Sequence, residues 1–129
     1  MKKRILISTG GSGGHVIPAT VFYDQLKEKF DIILSTDKRG IKFLDINKYE
    51  VNIINTPKFS SNFFLMPISL FYLLLLTIKS FFFLRKKKIN ILISTGGYMS
   101  IPLCIAAKIL SIEIYLFEPN MVLGRSNNF

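Results

Sequence analysis

Cysteine is nearly missing from this 129-residue chain: Cys104 is the only one. A single thiol excludes an intrachain disulfide and a cysteine-built zinc cluster. Its surroundings, Leu103-Cys104-Ile105-Ala106-Ala107, are those of a small core residue. Acidic side chains are scarce, 8 against 17 lysines and arginines, which leaves a net charge of +9. Arginines are few among the basic residues, and no aromatic-basic repeat of the RNA-binding kind occurs. There is no Gly-Lys-Ser/Thr, so no P-loop, and no Asp-x-Asp. Met1-Lys2-Lys3-Arg4 has the charge of a signal peptide, but only a short apolar run follows before Ser8 and the glycines. That start reads as the first strand of a cytoplasmic protein.

Apolar and basic side chains are plentiful. Half of the residues are hydrophobic, a high share for a freely soluble protein. A basic, apolar chain suits an anionic partner, and an acidic membrane surface fits better than nucleic acid. The length supports one domain, residues 1–129, with a single core. Strands are expected at residues 5–7, 32–34, 51–54, 89–93 and 114–117. Helices are expected at about 15–30, with Pro18 in the first turn, at 40–46 in short form, and at 100–110. Residues 57–62 read as a loop. The apolar run 63–84 is too long for a strand and reads as a helix, with Pro67 marking its start. This alternation predicts an α/β fold, a doubly wound parallel sheet of the Rossmann-like kind, with ligands at the carboxyl ends of the strands.

The glycine-rich turns fall at those ends. In Gly10-Gly11-Ser12-Gly13-Gly14-His15, backbone N–H groups and the positive end of the following helix suit a phosphate or diphosphate. His15, the only histidine, stands where an unprotonated imidazole can take a proton from a sugar hydroxyl. A second turn, Gly96-Gly97-Tyr98-Met99-Ser100-Ile101-Pro102, offers more N–H groups, with Ser100 as helix cap or ligand contact. In a third, Phe117-Glu118-Pro119-Asn120, Asn120 can both donate to and accept from sugar hydroxyls. Glu118 can orient a neighbour or bond the loop backbone. Ser8-Thr9-Gly10-Gly11 and Ser94-Thr95-Gly96-Gly97 echo each other as equivalent strand-to-helix turns. Asp37 lies near the spacing of a ribose-binding acid, which keeps a nucleotide-binding oxidoreductase domain open, although Val16 stands where the fingerprint needs glycine.

In order and spacing, these three turns resemble the GGTGGH loop, the GGYVSGP loop and the HEQN turn of the MurG family. Its members are UDP-N-acetylglucosamine–N-acetylmuramyl-(pentapeptide) pyrophosphoryl-undecaprenol N-acetylglucosamine transferases. The resemblance covers nearly the whole chain. It implies the N-terminal, acceptor-binding half of a GT-B glycosyltransferase of peptidoglycan synthesis, serving cell wall biogenesis, cell shape and cell division. The implied reaction moves N-acetylglucosamine from UDP-GlcNAc to the muramyl C4 hydroxyl of lipid I, giving lipid II with inversion and without metal or cofactor. By the resemblance, Gly10, Gly11, Ser12, Gly13 and Gly14 hold the acceptor diphosphate and His15 takes the hydroxyl proton. Gly96, Gly97, Tyr98, Ser100 and Glu118 are substrate contacts, and Asn120 touches the donor sugar. Ser12 keeps the hydroxyl of the family's threonine. Met99 and Ile101 stand for valine and glycine, and Phe117 and Pro119 for histidine and glutamine, so Phe117 receives no role. A C-terminal UDP-sugar-binding domain, absent from this chain, would hold most of the donor, and this half is expected to be inactive alone.

The apolar run 63–84 would measure roughly 33 Å as a helix, enough to cross a bilayer. Crossing would divide the strands between two sides and prevent one sheet. The expectation is a helix with one face on the sheet and another on lipid, at the cytoplasmic face of the bacterial inner membrane. Lys79, Arg85, Lys86, Lys87 and Lys88 would meet anionic lipids at about 1 kcal/mol per basic residue. The same run suits the negative end of a helix. A non-catalytic membrane-surface subunit is the remaining alternative.

Overall fold

Isoleucine and leucine fill the central strands, which are covered on both faces, so their runs are continuous rather than alternating. In the computed structural model, residues 2–54, 64–96 and 100–117 are described. The strands are β1 (Arg4–Ser8), β2 (Asp31–Thr36), β3 (Val51–Ile53), β4 (Ile91–Ser94) and β5 (Glu113–Leu116). They form one sheet in the order β3-β2-β1-β4-β5, with every pairing parallel. The helices are α1 (Gly13–Leu26), α2 (Met66–Lys86) and α3 (Ser100–Ile109), and a 3-10 turn occupies Gly40–Phe43. The doubly wound α/β fold expected from the alternation is the fold observed.

Side chains alternate across the sheet and build two cores. Ile5, Ile7, Ile32 and Leu34 pack under α1 with Ala19. On the other face Leu6, Ile33 and Leu92 meet Leu84 of α2 and Leu103, Ala106 and Ala107 of α3. Cys104 packs beside this second core, and burial pushes its thiol up to about 11. It is an unreactive core thiol at neutral pH.

Several boundaries differ from the expectation, each for a local reason. The first helix opens at Gly13, two residues early, so Pro18 lies inside it and not in its first turn. Pro18 has no N–H for the Gly14 carbonyl, which weakens the helix start. The helix closes at Leu26 because Phe30 N–H returns to the Leu26 carbonyl and Asp31 N–H joins Lys3 in the ladder. The helix expected over 40–46 shrinks to a 3-10 turn, since Leu44 is already extended at ψ 142. Ile89 is not in β4: its N–H bonds the Leu84 carbonyl to close α2, with Lys88 left-handed at φ 54. At the end of α3, Ser111 (φ 58) and the Ile112 N–H to Ala107 bond repeat that closure. The loop expected at 57–62 lies outside the described residues.

Ser111 occupies a backbone region that costs an L-residue about 1–2 kcal/mol and glycine almost nothing. Ser111→Gly is expected to raise unfolding stability by about 1 kcal/mol in a urea titration. Leu92→Ala, at a fully buried core position, is expected to lower it by roughly 2–5 kcal/mol in the same titration.

Candidate functional site

Three neighbouring strands end in the same two residues, Ser8-Thr9, Ser35-Thr36 and Ser94-Thr95. Register sets them level, with Ser8 opposite both Ser35 and Ser94. Between β1 and β4 the identity runs over seven residues, from Ile5 to Gly11 and from Ile91 to Gly97. The four-residue echo in the sequence is therefore part of two matched strands lying side by side. Bonds from Thr9 N–H to Ser35, Thr95 N–H to Ser8 and Phe117 N–H to Ser94, each 2.8–2.9 Å, carry the ladder past the strand ends.

The hydroxyls of this level row hold the turns. On the α3 face, Ser8 Oγ lies 3.0 Å from Ser100 Oγ, and Ser100 Oγ donates to the Gly96 carbonyl at 3.0 Å. Gly96 N–H donates to Ser94 Oγ at 3.2 Å, and Gly96 itself sits at φ 104, where glycine is favoured. On the α1 face, Thr95 Oγ1 donates to the His15 carbonyl at 3.0 Å and so ties α1 to the end of β4. Thr9 Oγ1 and Ser35 Oγ are buried and find no hydrogen-bond partner among the described residues. Ser100 is itself buried, and its hydroxyl serves the backbone of its own turn. Sequence reasoning missed the full row, although the shared Ser-Thr after three apolar runs was the signal for it.

The glycines of the first turn have different causes. None of the four adopts positive φ. A Cβ on Gly11 would lie 2.7 Å from Arg39 Nε and 2.9 Å from Asp37 Oδ1, so the fold itself demands glycine there. A Cβ on Gly13 would stand 3.3 Å from the Phe43 ring. Gly14 is exposed, and among the described residues a Cβ on it would meet only Ser12 Oγ, at 3.8 Å. Packing does not require glycine at this position, and the space beside it is open. Gly13 and Gly14 form the first turn of α1, whose leading N–H groups have no carbonyl of their own helix to bond. They sit at the positive end of the helix dipole, a favourable place for an anion. His15 follows, half-buried, with Nδ1 3.0 Å from Ser12 Oγ.

Asp37 lies against the first glycine turn, but its carboxylate is already occupied and does not serve as a ribose-binding acid. It is 8% exposed; Oδ1 accepts the Arg39 and Gly40 N–H groups at 3.0 and 2.9 Å, and Oδ2 takes the Arg39 guanidinium at 3.0 Å. The carboxylate caps the 3-10 turn and the dinucleotide reading loses its acid. Phe117 meets Phe22 of α1 edge-on at 5.1 Å, an apolar brace between β5 and α1. Gly97, Tyr98, Glu118 and Asn120 lie outside the described residues.

α2 is apolar on the wrong side for a helix in water. It buries Thr77, Ser80 and Leu84, while Ile68, Phe71, Leu74, Ile78 and Phe82 are each close to half exposed or more. Thr77 satisfies its hydroxyl within the helix, on the Leu73 carbonyl at 2.8 Å. The helix is long and apolar enough to cross a membrane, but direct pairing of β1 with β4 leaves no room for a bilayer between them. Lys79 lines a cleft of about 390 Å³ between α2 and β3, with Tyr72 and Ile53. Arg85, Lys86, Lys87 and Lys88 close α2 at the sheet edge opposite the glycine turns. There Lys86 and Lys88 share a cleft of about 620 Å³ with Lys2, Lys3 and Arg4, and Arg4 donates to the Lys87 carbonyl at 2.9 Å.

A five-stranded parallel sheet with glycine turns at the switch between β1 and β4 is a Rossmann-like α/β fold. The chain belongs to glycosyltransferase family 28, whose N-terminal domain matches residues 5–129. A UDP-N-acetylglucosamine–N-acetylmuramyl-(pentapeptide) pyrophosphoryl-undecaprenol N-acetylglucosamine transferase of Pelagibacter ubique is 55% identical over 129 residues, all of this chain and 36% of that protein. One of the same name from the Wolbachia of Brugia malayi is 40% identical over 97% of this chain and 35% of that protein. The chain thus spans about a third of the length of these relatives. Among solved structures, Acinetobacter baumannii MurG superposes with a TM-score of 0.82 at 23% identity, over 98% of this chain and 38% of that one. A glycosyltransferase from Rickettsia africae gives 0.71 at 17%, over 97% and 32%.

The glycine geometry separates fold from ligand. Gly11→Ala is expected to destabilise by more than about 1 kcal/mol through its clash with Arg39 and Asp37. Gly14→Ala is expected to stabilise by about 0.5–1 kcal/mol, because alanine is the better helix former and the space is free. Thermal or urea unfolding of the two variants reads both signs.

Proposed function

We propose that this chain is the acceptor-binding half of an N-acetylglucosaminyltransferase of peptidoglycan synthesis. The whole enzyme moves N-acetylglucosamine from UDP-GlcNAc to the muramyl C4 hydroxyl of lipid I. The observation that carries this reading is Gly14, a glycine with no structural cause at the open, positive end of α1. The acceptor's diphosphate sits against the N–H groups of Gly13 and Gly14, with Gly10, Gly11 and Ser12 shaping the turn. His15 takes the proton of the C4 hydroxyl as its oxygen attacks the anomeric carbon and the UDP leaves. By the family resemblance, Gly96, Gly97, Tyr98, Ser100 and Glu118 are further substrate contacts, and Asn120 touches the donor sugar.

The acceptor is a lipid, and α2 supplies the surface for it. Its outward apolar flank enters the interface of an anionic bilayer on the cytoplasmic side, while Lys79 and Arg85, Lys86, Lys87 and Lys88 meet the head groups. The same surface brings His15 to a substrate that cannot leave the membrane. The placement of large apolar residues outward and small polar ones inward supports contact with lipid over contact with water.

Binding of a lipid I analogue in phosphatidylglycerol liposomes tests the acceptor site. Gly14→Val is expected to abolish analogue-dependent binding in a chain that stays folded by circular dichroism. Equal liposome binding with and without the analogue would leave the membrane-surface subunit as the better reading. Phe71→Asp with Leu75→Asp is expected to cut liposome binding by about tenfold or more, at the depth cost of charge in lipid. Stability in urea should change by less than about 0.5 kcal/mol, since both side chains are exposed.

A further inference from the structure

Ser12 stands at the N-cap of α1 with extended backbone, φ −102 and ψ 154, yet its side chain caps no backbone N–H. The Ser12 carbonyl accepts the His15 and Val16 N–H groups, both at 3.0 Å, and the hydroxyl lies 3.0 Å from His15 Nδ1. Thr95 Oγ1 holds the His15 carbonyl from the other side at 3.0 Å. The backbone of His15 is thus fixed twice, and one ring nitrogen is tied to a hydroxyl. That leaves Nε2 as the ring nitrogen available to a substrate.

We propose that Ser12 is a positioning residue that lets an anion at the start of α1 set the tautomer of His15. The inference rests on the reading of His15 as proton acceptor. A neutral imidazole has one N–H and one lone pair, and a serine hydroxyl can donate to the lone pair or accept from the N–H. If Ser12 donates to Nδ1, the ring proton lies on Nε2, and Nε2 cannot accept another. A phosphate beside Gly13 and Gly14 offers only acceptor oxygens. Ser12 turns its O–H to the phosphate and receives the Nδ1–H on its own oxygen. The lone pair is then on Nε2, the competent form of the base, and it is selected by the arrival of the substrate's diphosphate. When Nε2 gains the hydroxyl proton, the Nδ1–H bond to Ser12 is unchanged. A hydroxyl achieves this without a second negative charge next to the phosphate, as an aspartate would bring.

Nitrogen-15 NMR reads the tautomer directly, because His15 is the only histidine in the chain. Inorganic pyrophosphate, in alkaline buffer, serves as the anion probe. Wild type and Ser12→Thr are expected to show protonated Nδ1 and unprotonated Nε2 once pyrophosphate shifts the Gly13 and Gly14 amide signals. Ser12→Ala is expected to shift the same amides but keep the proton on Nε2. Amide shifts with Nε2 still protonated in wild type would overturn the role of Ser12 and leave the anion site standing. A Ser12→Ala variant whose ring proton moves as in wild type would overturn that role equally. No amide shift at saturating pyrophosphate would sink the anion site, and the tautomer coupling with it. Ser12 is exposed, so neither variant is expected to unfold the chain.

Discussion

The pairing of β1 with β4 is the contact on which the remaining geometry rests. These strands are distant in sequence, separated by three helical segments and two other strands, yet they match residue for residue from Ile5 to Ser8 and from Ile91 to Ser94. Because they lie parallel and in register, the turns that follow them leave the sheet at one height. The same pairing keeps the long apolar α2 on one side of any bilayer, so it becomes a surface feature and not a span. It also forces α2 and α3 to share a face of the sheet, where Leu84, Leu103, Ala106 and Ala107 close the core.

The level row of serines and threonines at the strand ends does the mechanical part of the work. Most of its hydroxyls bond turn backbone or each other: Ser94 and Ser100 fix Gly96, Thr95 fixes the start of α1, and Thr36 reaches the Gly10 carbonyl at 3.5 Å. A buried hydroxyl without a partner costs about 1–3 kcal/mol, and Thr9 and Ser35 are of that kind. The row therefore trades some stability for turns whose position is set from below. Gly14, unlike Gly11 and Gly13, is then free of packing duty.

Much of this was legible in the sequence. The order of strands and helices follows from apolar runs and their lengths, and Gly10 through His15 stood out because four glycines meet a lone histidine at a strand end. What was not legible depends on contacts between distant segments. The early start of α1 at Gly13 places two of the glycines inside a helix, against their propensity, because the preceding Ser12 is held extended. Asp37 looked like a ribose ligand by spacing alone, but Arg39, two residues on, folds back on its carboxylate. Ile89 has the composition of a strand residue and is instead recruited to close α2. The Ser12–His15 bond joins residues three apart, yet it becomes evident only once the helix start is known.

On the proposed reading α2 links the sheet to the membrane surface, and its composition follows from what it packs against. The small side chains of Thr77 and Ser80 face inward and let the helix approach the core, so its bulk must point outward. The outward residues run from Ile68 to Phe82, most of the length of the helix, and the basic residues cluster at its far end. A flank that is apolar along its length enters an interface lying flat, not end-on. On the proposed reading α2 lies in the plane of the head groups, and its basic end meets lipid phosphate at the end of the sheet opposite the glycine turns. A membrane-bound diphosphate would then reach the start of α1 by moving along the surface, without leaving it. The apolar flank that is a liability for a protein in water is, on that reading, what brings the start of α1 to a lipid-borne substrate.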